Sequence, residues 1–299
     1  MKAPGPAAPV AIGLPFLWRR FRATLAPRPG GAPTVPYDRE ALLKNPGVTW
    51  IGHATLLVRM DGAGFLTDPV FSERASPLSF AGPRRLVPPG VPLGELPPLA
   101  FALLSHDHYD HADLPSIKVL AARGLRFIVP RGVAELVARV GGEAVELGWW
   151  DSVMIGALRV TCVPAQHFSG RTLTDRNRRL WAGWVVAGPT RRFYFAGDTA
   201  YFPGFAEIGR RLGPLHLAAV PIGAYSPREI MSPVHTTPEE GLQAALDAGA
   251  ERVLGMHFGT FDLADEPLDE PPRRFLAEAA RRELGERAFV LKVGETRGF

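Results

Sequence analysis

Six consecutive residues, His106-Asp107-His108-Tyr109-Asp110-His111, carry three imidazoles and two carboxylates, and only Ser105 separates them from the apolar run Leu99–Leu104. A continuous apolar run of this length reads as a strand buried on both faces. A dense polar cluster at its end must therefore sit at the edge of a sheet. The chain holds only eight histidines in 299 residues, so three within six positions is a poor match for chance. If the chain stays extended past Leu104, His106 and His108 point to one side, because strand side chains alternate with period two. Two imidazoles so placed can grip one metal ion, while Asp110 and His111 lie further along the turn and can reach a second. Imidazole and carboxylate together suit zinc, with iron or manganese as alternatives.

The pattern of a hydrophobic strand giving way to one polar residue recurs downstream. His167 follows Leu158–Ala165, Asp198 follows Arg192–Gly197, and His257 follows Arg252–Met256. Ligands on the ends of several strands converge on one rim. The count closes at two metals: His106, His108 and His167 on one, Asp110, His111 and His257 on the other, with Asp198 bridging both. Each ion keeps a position for water, as a catalytic site requires. With Asp110 and Asp198, His235 is the third candidate catalytic residue. It precedes a helix expected over Pro238–Ala248, where it can protonate or position a leaving group. Asp68 and His53 are expected behind the ligands, Asp68 accepting the free N–H of a liganding imidazole. His216, inside a strand-like run, is assigned to structure.

Thirty prolines and 32 glycines punctuate the chain into short elements. Val48–Met60 reads as one strand, turned at Asp61-Gly62 into Gly64–Thr67. Residues 72–98, rich in proline, read as an ordered loop. Helices and strands then alternate to the end, and no repeat of fixed period is visible. This predicts an α/β (α+β) architecture of sheets packed face to face with helices outside. With 46% hydrophobic and 21% charged residues, a disordered chain, a collagen, a coiled coil and a polytopic membrane protein are excluded. A net charge of +4 is no nucleic-acid footprint, and none is expected as a partner; it suits an anionic substrate or membrane surface. Cys162 stands alone, which excludes an intrachain disulfide and mildly favours a reducing compartment.

Residues 1–36 read as a tail outside the catalytic core, which is placed at 37–299. The uncharged run at 3–18 is broken by four prolines and is too short to span a bilayer. Three arginines follow it directly and there is no A-x-A cleavage site, so no convincing signal peptide is seen. Leu14–Leu25 mixes Phe16, Leu17, Trp18 and Phe21 with arginines and is a candidate for lying on an anionic surface. The expected location is cytoplasmic, peripheral at the membrane.

The cluster with His, Asp and His at later strand ends resembles the metallo-β-lactamase superfamily. Within it, WIGHAT (50–55), FLTDPVFSERASP (65–77), LLSHDHYDH (103–111), Gln166-His167, FYFAGDTAY (193–201), AAVPIGAYSPR (218–228) and MHFGTF (256–261) resemble the N-acylphosphatidylethanolamine-hydrolysing phospholipases D. Val234 and Ala165 depart from that family's pattern. The resemblance implies a four-layer αββα sandwich with a dinuclear metal site on one edge, the same seven ligands, and His235 in the active site. It further implies two Zn(2+) per chain and a phosphodiesterase that releases phosphatidic acid and an N-acylethanolamine from a glycerophospholipid. The alternative is a soluble lactonase or small phosphate-ester hydrolase of the same superfamily. A nuclease is disfavoured for want of a basic face, and a homodimer is left open.

Overall fold

The computed structural model describes residues 13–25, 28–172 and 174–299. The first half of the chain builds one sheet from β1 (Gly47–Gly52), β2 (Thr55–Met60), β3 (Ala63–Thr67), β4 (Phe101–Leu103), β5 (Phe127–Pro130) and β6 (Ala144–Leu147). The second half builds another from β7 (Ser152–Ile155), β8 (Leu158–Val163), β9 (Gly183–Ala187), β10 (Arg192–Phe195), β11 (Leu217–Pro221), β12 (Val253–Met256) and β13 (Ala288–Val290). A last strand, β14 (Thr296–Arg297), returns to pair with β1. The spatial orders are β14-β1-β2-β3-β4-β5-β6 and β13-β12-β11-β10-β9-β8-β7. Both sheets open antiparallel and turn parallel, from β3 onward in the first and from β10 onward in the second.

Strand alternation divides the apolar residues between two layers. In the first sheet Trp50, Leu56, Val58, Phe65, Phe101 and Leu103 face the second sheet and join its core. Their neighbours Ile51, Leu57, Leu66, Ala102 and Phe127 face outward, under α2 (Leu114–Ala122) and α3 (Ala134–Ala138). The second sheet is covered by α4 (Gly204–Leu212), α6 (Pro238–Asp247) and α7 (Glu270–Arg281), through Phe205, Leu242 and Phe275 among others. The result is the four-layer αββα sandwich of the metallo-β-lactamase type. Thr237 and Glu240 close a reciprocal capping box that starts α6 just after His235.

Three expectations are corrected. Val48–Met60 is not one strand: the chain turns at His53-Ala54 between β1 and β2, with Gly52 at φ +132° and His53 at +54°. Thirteen residues exceed a usual strand length of about five or six, and the glycine supplies the break. The metal-type cluster is not extended through His108. His111 and Ala112 donate their N–H groups to the His108 carbonyl, making a tight turn, and Asp107 points away to Gly170 and Arg179. The described residues before Tyr37 pack on the domain rather than standing outside it. Ala32 N–H bonds to Gly259 O at 2.7 Å, Val35 N–H to Val293 O at 2.9 Å, and Phe16 on α1 (Leu14–Leu25) is buried. The proline-broken run makes this stretch read as a tail, and the partners of its arginines lie far along the chain. Residues 1–12 fall outside the described ones. Among the described residues no helix is long and apolar enough to cross a membrane.

Trp184 joins the layers: it is fully buried, and its indole N–H donates to Leu104 O at 2.9 Å, one residue before Ser105-His106. Trp184→Phe leaves that buried carbonyl without its donor and should lower stability by about 1–3 kcal/mol, read by urea unfolding.

Candidate metal centre

β3, β4, β8, β10 and β12 each end in a candidate site residue, and β1 ends at His53. The ladder pairings run β1, β3 and β4 in one direction and β8, β10 and β12 in one direction, so within each sheet these carboxyl ends collect on one edge. The loops that follow approach closely. Gly197, at φ +61°, lets the Asp198 loop lie on Ser105, where a Cβ would come within 2.7 Å of the serine side chain. A Cβ on Gly223 would meet His257 O at 2.1 Å. His53, Asp68, Ala224 and His257 adopt left-handed backbone, φ +34° to +65°. Such conformations cost about 1–3 kcal/mol each in a non-glycine residue and persist only where surroundings impose them.

Every side chain singled out in the sequence, His216 excepted, is brought to this edge. His106 Nε2 lies 2.8 Å from His108 Nδ1, and His167 Nε2 lies 3.4 Å from that same atom. His111 Nε2 is 3.2 Å from His257 Nε2, 3.2 Å from Asp198 Oδ2 and 3.4 Å from Asp110 Oδ2. Asp198 stands between the groups. Its Oδ1 is 3.1 Å from His257 Nε2, and its Oδ2 is 3.9 Å from His167 Nε2 and 4.0 Å from His235 Nδ1. His53 Nε2 meets Asp110 Oδ2 at 2.9 Å, which places it against a candidate ligand rather than at a remove. His216 lies elsewhere and accepts the Arg192 N–H.

The outer nitrogens of three imidazoles are tied from behind. His111 Nδ1–H donates to Asp68 Oδ2 at 2.6 Å, His106 Nδ1–H to Ser105 Oγ at 2.9 Å, and His167 Nδ1–H to Val234 O at 2.9 Å. That leaves Nε2 of each turned inward. Asp68 also accepts Ser105 N–H and Oγ–H, both at 2.6 Å, so both its oxygens are engaged. Ser105 and Asp107 are residues the sequence did not single out. Asp107 anchors the turn from outside, through Arg179 and Gly170.

The electrostatics divide the cluster. Burial pushes His108 down to about 4 and His53, His167 and His235 down to about 3, and it holds His106 well below its ordinary value. These imidazoles are neutral and carry lone pairs at neutral pH. Burial opposes charge on His111 and His257 as well, but the carboxylates of Asp198 and Asp110 outweigh it and raise both, His257 to about 9. Asp110 and Asp198 stay ionised, because the neighbouring imidazoles, His111 foremost, overcome their desolvation. Lone-pair nitrogens crowd to 2.8–3.4 Å of one another beside the carboxylates of Asp110 and Asp198, an arrangement that a bound cation would relieve. The donor set, imidazole nitrogen and carboxylate oxygen, suits a divalent zinc, iron or manganese ion. The nitrogens and oxygens of His106, His108 and His167, and of Asp110, His111 and His257 with His53, lie within 4.8 Å of one another in each group.

A cavity of about 260 Å³ opens onto this centre. His108, Asp110, Asp198, His235 and His257 form its polar wall, and Phe16, Phe168, Ile230, Met231, Val234 and Leu263 its apolar one. Ile230 and Met231 come from the short helix α5 (Arg228–Met231), which sequence patterning missed. Arg176 also lines the cavity, its guanidinium 4.4 Å from the Phe168 ring centre.

Fold and centre together define a metallo-hydrolase. Residues 64–258 match the family model described as beta-lactamase superfamily domain, and the chain belongs to that superfamily. It is 42% identical over 263 residues to N-acyl-phosphatidylethanolamine-hydrolyzing phospholipase D 1 of Caenorhabditis elegans, covering 83% of this chain and 74% of that protein. An uncharacterised protein of Mycobacterium tuberculosis is 41% identical over 281 residues, 92% of this chain and 69% of the relative. Among solved structures, the isothiocyanate hydrolase from Delia radicum gut bacteria superposes with a TM-score of 0.67 at 19% identity, over 85% of this chain and 99% of that one. It shares the fold.

Asp68→Asn puts an amide N–H₂ against groups that themselves donate. Metal affinity should fall about 10–100-fold, measured by chelator competition with the folded state followed by circular dichroism.

Proposed function

We propose that this chain is a phosphodiesterase of phospholipase D type that cleaves N-acylphosphatidylethanolamine, or a related glycerophospholipid, to phosphatidic acid and an N-acylethanolamine, with two zinc ions as resident cofactors. The observation that carries this reading is the cavity: a cluster of imidazoles and carboxylates on one side and an apolar wall on the other, matching a phosphodiester joined to hydrocarbon. The 42% identity to a relative named for this reaction supports it.

His106, His108 and His167 would hold one ion, and Asp110, His111 and His257 the other, with Asp198 reaching both. Bound there, the ions supply Lewis-acid polarisation of phosphoryl oxygen and a water acidic enough to attack phosphorus at neutral pH. The chain's part is to hold the ligands, keep the site dry and place a proton. The bond from phosphorus to the ethanolamine oxygen breaks as the bond to the water oxygen forms, and a proton from the water ends on the leaving oxygen. His235 sits at the cavity wall with Nδ1 buried and free of any hydrogen-bond partner. As a neutral imidazole it holds one proton and one lone pair, so it can pass a proton to the leaving group.

The substrate would arrive from a lipid surface. α1 exposes Trp18 and Phe21, 61% and 52% accessible, with their rings stacked at 5.8 Å and the exposed Arg22 alongside. An aromatic pair beside a cation suits the boundary of an anionic bilayer. Trp18→Ala with Phe21→Ala should reduce co-sedimentation with phosphatidylglycerol-containing vesicles at least threefold; undiminished binding refutes this surface.

The activity itself is tested by mass spectrometry after zinc-loaded protein meets N-acylphosphatidylethanolamine in mixed micelles. Chelator-sensitive release of both products is expected, and Asp198→Asn should lose metal and activity together. No release from protein carrying two metals overturns the phospholipase reading in favour of a soluble phosphate ester or lactone. An active, fully metallated Asp198→Asn overturns the ligand assignment.

A further inference from the structure

α1 is joined to the loop that follows His257 by a lattice of ion pairs. Arg20 bonds Asp262 Oδ1 at 2.9 Å, Asp265 Oδ1 at 2.7 Å and Ala264 O at 2.7 Å. Arg28, three residues past the end of α1, bonds Asp262 Oδ2 at 2.8 Å, and Ala264 O and Glu266 O at 2.7 Å. Arg19 adds Asp265 Oδ2 at 2.8 Å. The Asp262 side chain is 3% exposed, and burial alone would raise its carboxyl; the guanidiniums of Arg28 and Arg20 more than offset this and hold it below the ordinary range. So many charge-assisted bonds onto one buried carboxylate and its neighbouring carbonyls set the position of a helix.

What that lattice positions is Phe16. The Arg19 and Arg20 guanidiniums lie 5.9 and 5.8 Å from its ring centre, within cation–π range. The ring is 8% exposed and lines the cavity together with Leu263, the residue next to Asp262. On a helical wheel Trp18 and Phe21 fall about 200° and 140° from Phe16, so the helix presents one aromatic residue to the cavity and two away from it.

We infer that α1 is a wall of the substrate site rather than a leader to it: Phe16, latched by Arg20 and Arg28 onto Asp262, determines the preference for a ligand that carries a long hydrocarbon chain on its phosphate. This rests on reading the cavity as the substrate site. Phe16 is the contact residue. Arg20, Arg28 and Asp262 act through it as positioning residues. The metal ligands contribute phosphate affinity whatever the chain, and Phe16 contributes only where a chain reaches it.

The test is a binding ratio that needs no turnover. The zinc-loaded full chain is titrated calorimetrically with ethyl phosphate and with dodecyl phosphate, the latter below its micelle-forming concentration. The wild type should bind dodecyl phosphate at least 30-fold more tightly than ethyl phosphate. Phe16→Ala should cut that ratio at least tenfold, with the ethyl phosphate Kd and the metal content within twofold of wild type. Phe16→Leu should restore most of the ratio. Arg20→Ala should lower the ratio too and Arg20→Lys should recover part of it, which keeps the latch testable should Asp262→Asn fail to fold. A wild type with no chain preference, a Phe16→Ala ratio that does not move, or equal weakening of both ligands overturns the inference. A normal chain preference with no release of N-acylethanolamine from N-acylphosphatidylethanolamine would instead count against the phospholipase reading and leave the wall in place.

Discussion

Imidazole nitrogens and carboxylate oxygens are held, almost fully buried, at 2.8–4.0 Å from one another at one edge of the sandwich. Left to itself such a cluster would swing apart, since buried polar groups without full pairing cost several kcal/mol. It stays together because each member is fixed at its base. The donors sit on short loops leaving buried strands, and several of those loops start in left-handed backbone that solvent-exposed turns would relax. The rings of His106, His111 and His167 are further fixed by the hydrogen bond each makes outward, to Ser105, Asp68 and Val234. The surrounding fold therefore acts as a frame whose rigidity is concentrated where the electrostatic demand is greatest. The inter-sheet bond from Trp184 to Leu104 belongs to the same frame, since it fixes the backbone just before the first histidine.

How much of this was legible follows from the range of each signal. An apolar run that ends in one polar residue is a local signal, and it located His106, His167, Asp198 and His257 at strand ends before any pairing was known. The order of short strands and helices made face-to-face sheets with helices outside legible, and the four-layer αββα form was what the family resemblance implied. The repeat of antiparallel-then-parallel pairing in the two halves was not, because it is a likeness of topology with no matching period in the residues. Gly52 marked the break between β1 and β2, but the β-rich composition on both sides of it hid the turn. Asp107 was unassigned because its neighbours form the recognisable pattern, and only the fold shows it facing Arg179. α5 is four residues long, too short for a periodic pattern to register. The docking of α1 depends on Arg20 and Arg28 finding acids more than 230 residues away, a contact without local trace.

These ranges also separate two kinds of residue. The groups suited to metal come from the ends of core strands, where a shift of the backbone would disturb both sheets. Most of the apolar wall comes from α1, from α5 with the following Val234, and from the loop after His257; Phe168, next to His167, completes it. Changes in the wall can alter which ligand fits while the strand ends hold the polar cluster unchanged. The loop from His257 to Glu266 is where the two meet, since it begins at a candidate ligand and ends in the acids and carbonyls that fasten α1. The left-handed φ of +65° at His257 lies at the inner end of that loop. Trp18 and Phe21 stand on the same twelve-residue helix as Phe16, so the surface proposed to meet lipid and the wall of the cavity belong to one element.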